Sequence, residues 1–125
     1  MTILDASAVL GLIQAEPRAN GVLPYLADGA MSAVNHAEVV GKLVDVGMPA
    51  TMAAELIDRL HIEVLPFTER HAVVVGELRS RTSRFGLSLG DRACLATGLV
   101  DGGEVVTMDR MWAEIDLDVP IVVLG

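Results

Sequence analysis

The chain has 125 residues, 52% of them hydrophobic, and a formal net charge of −8. This length and composition predict one domain, residues 1–125, with ample apolar material for a core, and the negative charge argues against non-specific nucleic-acid binding, which depends on neutralising phosphates. The single cysteine, Cys94, excludes an intrachain disulfide and a CxxC metal or redox motif.

Short β-rich runs alternate with segments of helical periodicity along the chain. The predicted strands are residues 2–4, 30–33, 63–66, 104–107 and 121–124. Six helices are predicted. The first contains Val9, Leu12 and Ile13, the second follows Pro17, the third ends near Gly47, and the fourth has Pro49 in its first turn. The last two cover about residues 68–81 and 88–101. This alternation predicts an α/β domain with a parallel sheet and right-handed crossovers. Residues 82–87 are the predicted mobile loop.

Nothing in the chain resembles a membrane or export segment. No apolar run approaches the roughly 20 residues that a membrane-spanning helix needs. The first predicted strand begins at Thr2, directly after Met1, which leaves no room for a basic, apolar leader. We therefore expect a soluble cytoplasmic protein.

Four acidic residues lie near the predicted junctions of strands and helices. They are Asp5 after the first strand, Glu38 in the helix after the second strand, Asp91 near the start of the last long helix, and Asp109 after the fourth strand. Ligands of open parallel sheets bind beyond the carboxyl ends of the strands, at the topological switch point. An assumed strand order of 3-2-1-4-5 makes the strands before Asp5 and Asp109 neighbours, so we expect the acids to converge in one pocket. A pocket of carboxylates suits hard cations such as Mg²⁺ or Mn²⁺.

Each acid also has a purely structural explanation. Asp5 and Asp109 are good helix N-caps, Glu38 and Lys42 form a favourable i, i+4 pair, and Ser88 with Asp91 has the spacing of a capping box. Four carboxylates in one pocket would repel one another unless a cation or protons intervened. We therefore favour a metal site, with the hydroxyls of Ser7 and Thr107 beside two of its acids.

One arginine-rich segment interrupts the acidic chain. Residues 70–92 contain five arginines against Glu77 and Asp91, whereas the rest of the chain carries four basic and fifteen acidic residues. A basic segment beside an acidic site can guide a polyanion towards bound metal. The alternative is a solvated helix end, which is typical of charge runs.

Four segments resemble those of PIN domains, and specifically of VapC-type toxins from toxin–antitoxin pairs. They are LDAS at 4–7, SAV and AEV at 32–34 and 37–39, GLSLGDRACLA at 86–96, and TMDRMW at 107–112. The segments stand in the family's order and span nearly the whole chain, and the GLSLGDRACLA segment is the most specific. The resemblance implies a three-layer α/β fold with a parallel five-stranded sheet flanked by helices.

The resemblance also implies a metal-dependent endoribonuclease that cleaves single-stranded regions of structured RNA. The acids that would hold one or two Mg²⁺ or Mn²⁺ ions are Asp5, Glu38, Asp91 and Asp109, and the chain shows no departure from this quartet. Ser7 and Thr107 would support them. The expected RNA contacts are Arg79, Arg81, Arg84 and Arg92. Asp116 is a weak candidate for a further acid.

The resemblance implies two partners besides RNA, a cognate antitoxin and a second copy of the chain in a homodimer. The high apolar content agrees with a covered surface. The candidate surface residues are Leu12, Val40, Leu43, Val44, Met52 and Leu56, although for each of them taken singly a place in the core is the stronger prediction.

Three other kinds of protein could explain an α/β domain with an acidic pocket. A receiver domain normally needs a lysine after its last strand, and the only lysine here is Lys42 inside a helix. A haloacid-dehalogenase-like phosphatase would have aspartate at position 7, where this chain has Ser7. A PIN-like module that binds RNA or a partner without cleaving it is the stronger rival.

Overall fold

The computed structural model describes residues 1–125 as five parallel strands with helices on both faces. The strands are β1 Thr2–Leu4, β2 Gly29–Ser32, β3 Glu63–Leu65, β4 Glu104–Thr107 and β5 Ile121–Val123. The α-helices are α1 Ala6–Ile13, α2 Ala33–Asp45, α3 Ala50–Asp58, α4 Glu69–Arg81 and α5 Leu89–Asp101. Three 3₁₀ helices cover Pro17–Tyr25, Ser83–Phe85 and Arg110–Glu114. The predicted α/β class and parallel sheet are confirmed.

The strand order is β3-β2-β1-β4-β5, as assumed from the fold class. Every neighbouring pair is parallel, and Leu4 at the end of β1 pairs with Val106 of β4. The chain winds outwards from β1 through β2 to β3, and then returns to the other side of β1 as β4 and β5. The topological switch point therefore lies between β1 and β4.

Alternating strand residues feed two separate cores, because successive side chains of a strand point to opposite faces. Leu4, Met31 and Val106 pack with helices α1 to α3 on one face. Ile3 and Val105 pack with α4 and α5 on the other. The protein thus has three layers, and the carboxyl ends of β1 and β4 lie between its two groups of helices.

Helix α5 approaches the centre of the sheet closely. A Cβ atom at Gly98 would lie only 2.7 Å from Val105 Cγ2 and 2.8 Å from Val119 Cγ2. The absence of a side chain at this position lets α5 lie tightly against β4. This packing holds the start of α5, and with it Asp91, at the edge of the layer beside the strand ends.

The predicted element bounds differ from the observed ones by one or two residues, for local reasons. Ser32 ends β2 because its hydroxyl accepts the Val34 N–H at 3.1 Å and starts α2. The segment after Pro17 forms a 3₁₀ helix, in which Pro24 has no N–H to donate. The predicted loop 82–87 contains a 3₁₀ helix, and the buried Thr82 donates its hydroxyl to Leu78 O at 2.7 Å.

None of the helices combines the length and hydropathy that crossing a lipid bilayer requires.

Candidate active site

Asp5 lies at the carboxyl end of β1, where its side chain begins α1. Its carboxylate accepts the Ala8 N–H at 2.9 Å and the Thr107 hydroxyl at 2.5 Å. The Ser7 hydroxyl lies 2.7 and 2.9 Å from the two carboxylate oxygens. The predicted N-cap role of Asp5 and the placement of Ser7 and Thr107 beside an acid are both confirmed.

Burial of Asp5 has a clear electrostatic consequence. The side chain is 4% exposed, and this desolvation raises its pKa from 3.8 to about 6. Its hydrogen bonds lower the pKa again, while the nearby charge of Asp91 raises it further. A carboxylate that is costly to ionise in this position would be stabilised by a cation.

Glu38 lies on α2 and is held by a residue that the sequence analysis did not single out. The Asn35 side-chain amide donates to Glu38 Oε1 at 2.7 Å and to the Gly90 carbonyl at 3.0 Å. Two acceptors on one side fix the orientation of this amide. Glu38 forms no ion pair with Lys42, so the predicted i, i+4 pair is wrong. Instead, Asn35 aims Glu38 across at the start of α5.

Asp91 forms the capping box that its spacing with Ser88 predicts. The Ser88 N–H donates to Asp91 Oδ2 at 3.0 Å, and the Asp91 N–H donates to Ser88 Oγ at 3.1 Å. The carboxylate is half-buried and fixed to the N-terminus of a 13-residue helix. A negative charge is favoured at that end of a helix.

The first three acids come from three different elements, and their charges all act on one buried thiol. Burial raises the pKa of Cys94 well above its ordinary value of 9.0, and the charges of Asp5, Asp91 and Glu38 raise it further. Cys94 is therefore a neutral packing residue. None of the three acids is paired with lysine or arginine, since the protein's only ion pairs are the N-terminus with Asp28 and His71 with Asp101.

Asp109 follows β4, at the end of the strand next to β1. It is exposed, its carboxylate caps the 3₁₀ helix Arg110–Glu114 by accepting the Met111 N–H at 3.0 Å, and its own N–H donates to Thr107 Oγ1 at 3.0 Å. Thr107 links it to Asp5. Asp109 is not among the charges that raise the pKa of Asp5.

The four acids do not form the closed pocket that the sequence predicts. No three His, Cys, Asp or Glu side chains lie close enough together to hold one ion as they stand, and no acid of the quartet lines a cavity. The reason is local, because three of the carboxylates are turned towards the helix ends that they cap.

The donor set nevertheless fits a hard divalent cation. Its carboxylates offer only oxygen ligands, which Mg²⁺ and Mn²⁺ prefer. The Asn35 Oδ1 atom, beside Glu38, is buried and accepts no hydrogen bond. The unpaired carboxylates of Asp5, Glu38 and Asp91 make this part of the protein negative, and a cation would neutralise that charge.

The sequence analysis missed Asn35 and Gly90. A Cβ atom at Gly90 would overlap the Glu38 carboxylate, so glycine is needed there for Glu38 to reach the start of α5. The signal lies in the sequence, because a glycine in the first turn of a helix is unfavourable without a packing reason. Here the packing reason is the Glu38 side chain of α2, which is remote from Gly90 in sequence.

We expect Gly90→Ala to lower site activity without unfolding the protein. The new methyl group would displace the flexible end of Glu38, while alanine gains up to about 1 kcal/mol of helix propensity over glycine. The free energy of unfolding, measured with urea, should therefore change by less than about 1 kcal/mol, whereas metal-dependent cleavage of RNA should fall sharply. Gly76→Ala in α4 is the matched control, since its Cβ would meet nothing within 4 Å. Equal activity of both variants would contradict the assigned position of Glu38.

The structure separates the four arginines that were expected to contact RNA. Arg79, Arg81 and Arg84 are exposed, whereas Arg92 is half-buried and donates through Nη1 to Val75 O at 3.0 Å. Arg79 and Arg92 line one cavity beside the start of α5, and Arg81 and Arg84 do not. Two of the four arginines therefore share one cavity, and the other two are exposed outside it.

The apolar residues predicted to be covered by a partner fall into three groups. Leu43 is wrong as a surface candidate, because it is 2% exposed and belongs to the core under α2. Val44 and Met52 remain 45% and 50% exposed. Leu12, Val40 and Leu56 are half-buried.

The strand order, the two cores and the acids at the switch point define a doubly wound α/β domain with an acidic site at the carboxyl edge of its sheet. The chain belongs to the PIN domain family, whose family model matches residues 2–117. No curated protein sequence is significantly similar to the chain.

Three solved structures illustrate the shared fold. VapBC from Salmonella typhimurium, bound to DNA, is 17% identical with a TM-score of 0.75, covering 97% of this chain and 96% of that one. VapBC2 from Rickettsia felis, bound to a DNA fragment from its promoter, is 19% identical with a TM-score of 0.74, covering 99% and 98%. A toxin–antitoxin complex from Klebsiella pneumoniae is 20% identical with a TM-score of 0.71, covering 98% and 96%.

Proposed function

We propose that this PIN domain is a metal-dependent endoribonuclease and acts as the VapC-type toxin of a toxin–antitoxin pair. The observation that carries the proposal is that the charges of Asp5, Glu38 and Asp91, from three elements, all act on the buried Cys94, while none of these acids is paired with a cation. The similarity to solved VapBC complexes supports the choice of toxin within the family.

In the proposed site each acid has its own support from the protein. Ser7 and Thr107 hold the Asp5 carboxylate by hydrogen bonds, Asn35 orients Glu38, and Asp109 completes the quartet after β4. Mg²⁺ or Mn²⁺ would supply Lewis-acid chemistry, acidifying water and neutralising charge on a phosphodiester. The substrate would be single-stranded RNA within a structured molecule.

The supports fix the carboxylates before substrate arrives. Thr107 donates one hydrogen bond to Asp5 and accepts another from the Asp109 N–H, so one hydroxyl links the acids after β1 and β4. The Ser7 hydroxyl also accepts the Met108 N–H at 3.0 Å. Side chains held in this way lose little conformational freedom when they bind a cation, which favours preorganised electrostatic stabilisation.

Cleavage of a cellular RNA pool is expected with Mn²⁺ or Mg²⁺, to be lost with a chelator and to return when the ion is restored. The physical reason is that the acids alone repel a phosphodiester and offer no group that neutralises it. Gel analysis of RNA fragments measures this directly. Cleavage that persists in excess chelator would contradict the metal dependence.

A PIN-like module that binds RNA or a partner without cleaving it is the second candidate. It is favoured by the helix-capping roles of Asp5, Asp91 and Asp109, which explain these residues without catalysis. Binding of RNA with no fragments at any ion concentration would support this candidate.

The proposed partners are a small antitoxin and a second copy of the chain. Exposed apolar side chains such as Val44, Met52 and Val46 need a covering surface if they lie in one patch. Expression of the chain alone should arrest growth. If a small reading frame next to the gene encodes the antitoxin, its co-expression should relieve the arrest and yield a complex that co-purifies. Solution mass measured by light scattering tests the homodimer. A harmless, strictly monomeric protein would contradict this proposal.

A further inference from the structure

A cavity of about 320 Å³ lies between the end of α4, the 3₁₀ helix Ser83–Phe85 and the start of α5. Arg79 and Arg92 line it together with Ser83, Gly86 and Ser88. Its lining is mainly polar and carries two positive charges, in a protein whose net charge is −8. A positive, polar cavity in an acidic protein favours an anionic ligand.

Neither arginine of the cavity is neutralised. Both ion pairs of the protein lie elsewhere, so no carboxylate binds Arg79 or Arg92. The Arg92 Nε atom is also buried and has no hydrogen-bond acceptor, although its Nη1 donates to Val75 O. A buried donor without an acceptor is costly, so the protein leaves the Arg92 guanidinium only partly satisfied.

The cavity lies beside the acidic site but faces another direction. Asp91 and Arg92 are consecutive on α5, and consecutive helical side chains point about 100° apart. The Asp91 carboxylate turns back to Ser88 and is near the other acids, whereas Arg92 lines the cavity. The cavity and the proposed cleavage site therefore both adjoin the start of α5.

We propose that this cavity binds a backbone phosphate of single-stranded RNA, on a nucleotide next to the cleaved one. The inference rests on the proposed function and specifies how the substrate is held. Arginine suits this role because its planar guanidinium can donate two parallel hydrogen bonds to a phosphate. The arginines outside the cavity differ from this pair, since the Arg84 guanidinium lies over the Phe85 ring at 4.7 Å from its centroid.

The test measures binding of a short fluorescent RNA oligonucleotide to the full chain in excess chelator, where cleavage does not occur. Arg79→Gln removes an exposed cavity arginine without touching the core, and should weaken RNA binding about five- to tenfold. The slope of log Kd against log salt should fall by about 0.7, the value for one phosphate of a single strand. Inorganic phosphate should compete with RNA for the unmodified chain and much less for the variant.

The matched control is Arg70→Gln, which removes the same charge from the other end of α4 and lies outside the cavity. It should change RNA affinity less than about twofold, because distant exposed charges are screened by salt. Arg92→Lys is the second variant, which keeps the charge but loses the planar guanidinium. Its fold is checked by circular dichroism. In the folded variant, inorganic phosphate should compete less well with RNA. Equal binding by the Arg79 and Arg70 variants would overturn the proposal.

The outcomes distinguish this proposal from the proposed function. RNA cleavage by the unmodified chain, with equal binding by the Arg79 and Arg70 variants, would defeat the phosphate cavity alone. Binding that depends on Arg79 without cleavage at any ion concentration would defeat the nuclease and retain the cavity. Binding of an acidic peptide that depends on Arg79, without binding of phosphate or RNA, would assign the cavity to a protein partner and overturn the inference.

Discussion

Asp91→Asn should reduce metal-dependent RNA cleavage by at least about 100-fold, since even indirect supports of metal ligands typically contribute 10- to 100-fold. The protein should keep its fold. Asparagine has nearly the same shape, and its side-chain oxygen can still accept the Ser88 N–H that Asp91 accepts at 3.0 Å. Only the negative charge at the helix N-terminus is lost, which costs about 0.3–1 kcal/mol. RNA cleavage and thermal unfolding would be measured on the same preparation.

Asp118→Asn provides the control for this change. Asp118 is exposed and forms no hydrogen bond or ion pair through its side chain, so the same charge is removed far from the acids at the switch point. We expect its cleavage rate to be unchanged. A folded Asp91→Asn protein with full activity would remove Asp91 from the site and leave it as a helix cap.

Asp5→Asn should stabilise the metal-free protein at neutral and higher pH, by up to about 3 kcal/mol. The buried carboxylate has a pKa of about 6 in the folded protein against 3.8 for an ordinary aspartate, so its ionisation opposes folding. Asparagine caps a helix as well as aspartate does, and it can keep the contact with the Ala8 N–H. Urea unfolding in excess chelator from about pH 4 to pH 8 would measure the difference between variant and unmodified protein.

The pH dependence of that difference has a definite sign. Between pH 3.8 and about 6 the folded protein holds a proton on Asp5 that the unfolded chain has lost, so its stability falls as pH rises. The advantage of the variant should therefore be small near pH 4, grow up to about pH 6, and then remain constant. Asp109→Asn is the control, because this exposed N-cap should change stability by less than about 0.5 kcal/mol at every pH. A large loss of stability in Asp5→Asn would show that the cap outweighs burial of the charge.

Local patterns were enough to predict the elements and their caps. Alternation of short apolar runs with helical periodicity predicts the parallel α/β sheet, because each signal depends on residues only a few positions apart. The same holds for the capping roles of Asp5, Asp91 and Asp109, each of which needs only a side chain and an N–H two or three residues away. The strand order was assumed from the fold class, and the sheet confirms it. The four acids were singled out by their places near the predicted junctions of strands and helices, and the family resemblance then implied their role as metal ligands.

Side chains remote in sequence escaped this kind of prediction. Asn35 bonds to Gly90 across 55 positions, and Thr107 bonds to Asp5 across 102. No local pattern indicates that Gly90 must lack a side chain for Glu38 to fit. Likewise, periodicity placed Leu43 on an apolar face of α2, but only packing shows that the core covers it.

The sequence by itself determined which residues can carry charge, cap a helix or fill a core, because those properties belong to the side chain and its near neighbours. The tertiary structure decided which of them meet. It made Asp5 a buried acid with a raised pKa, left Asp109 exposed, and separated Arg79 and Arg92 from the other arginines. These outcomes depend on how the helices pack across the sheet, since desolvation and charge interactions follow distances in space and not positions along the chain.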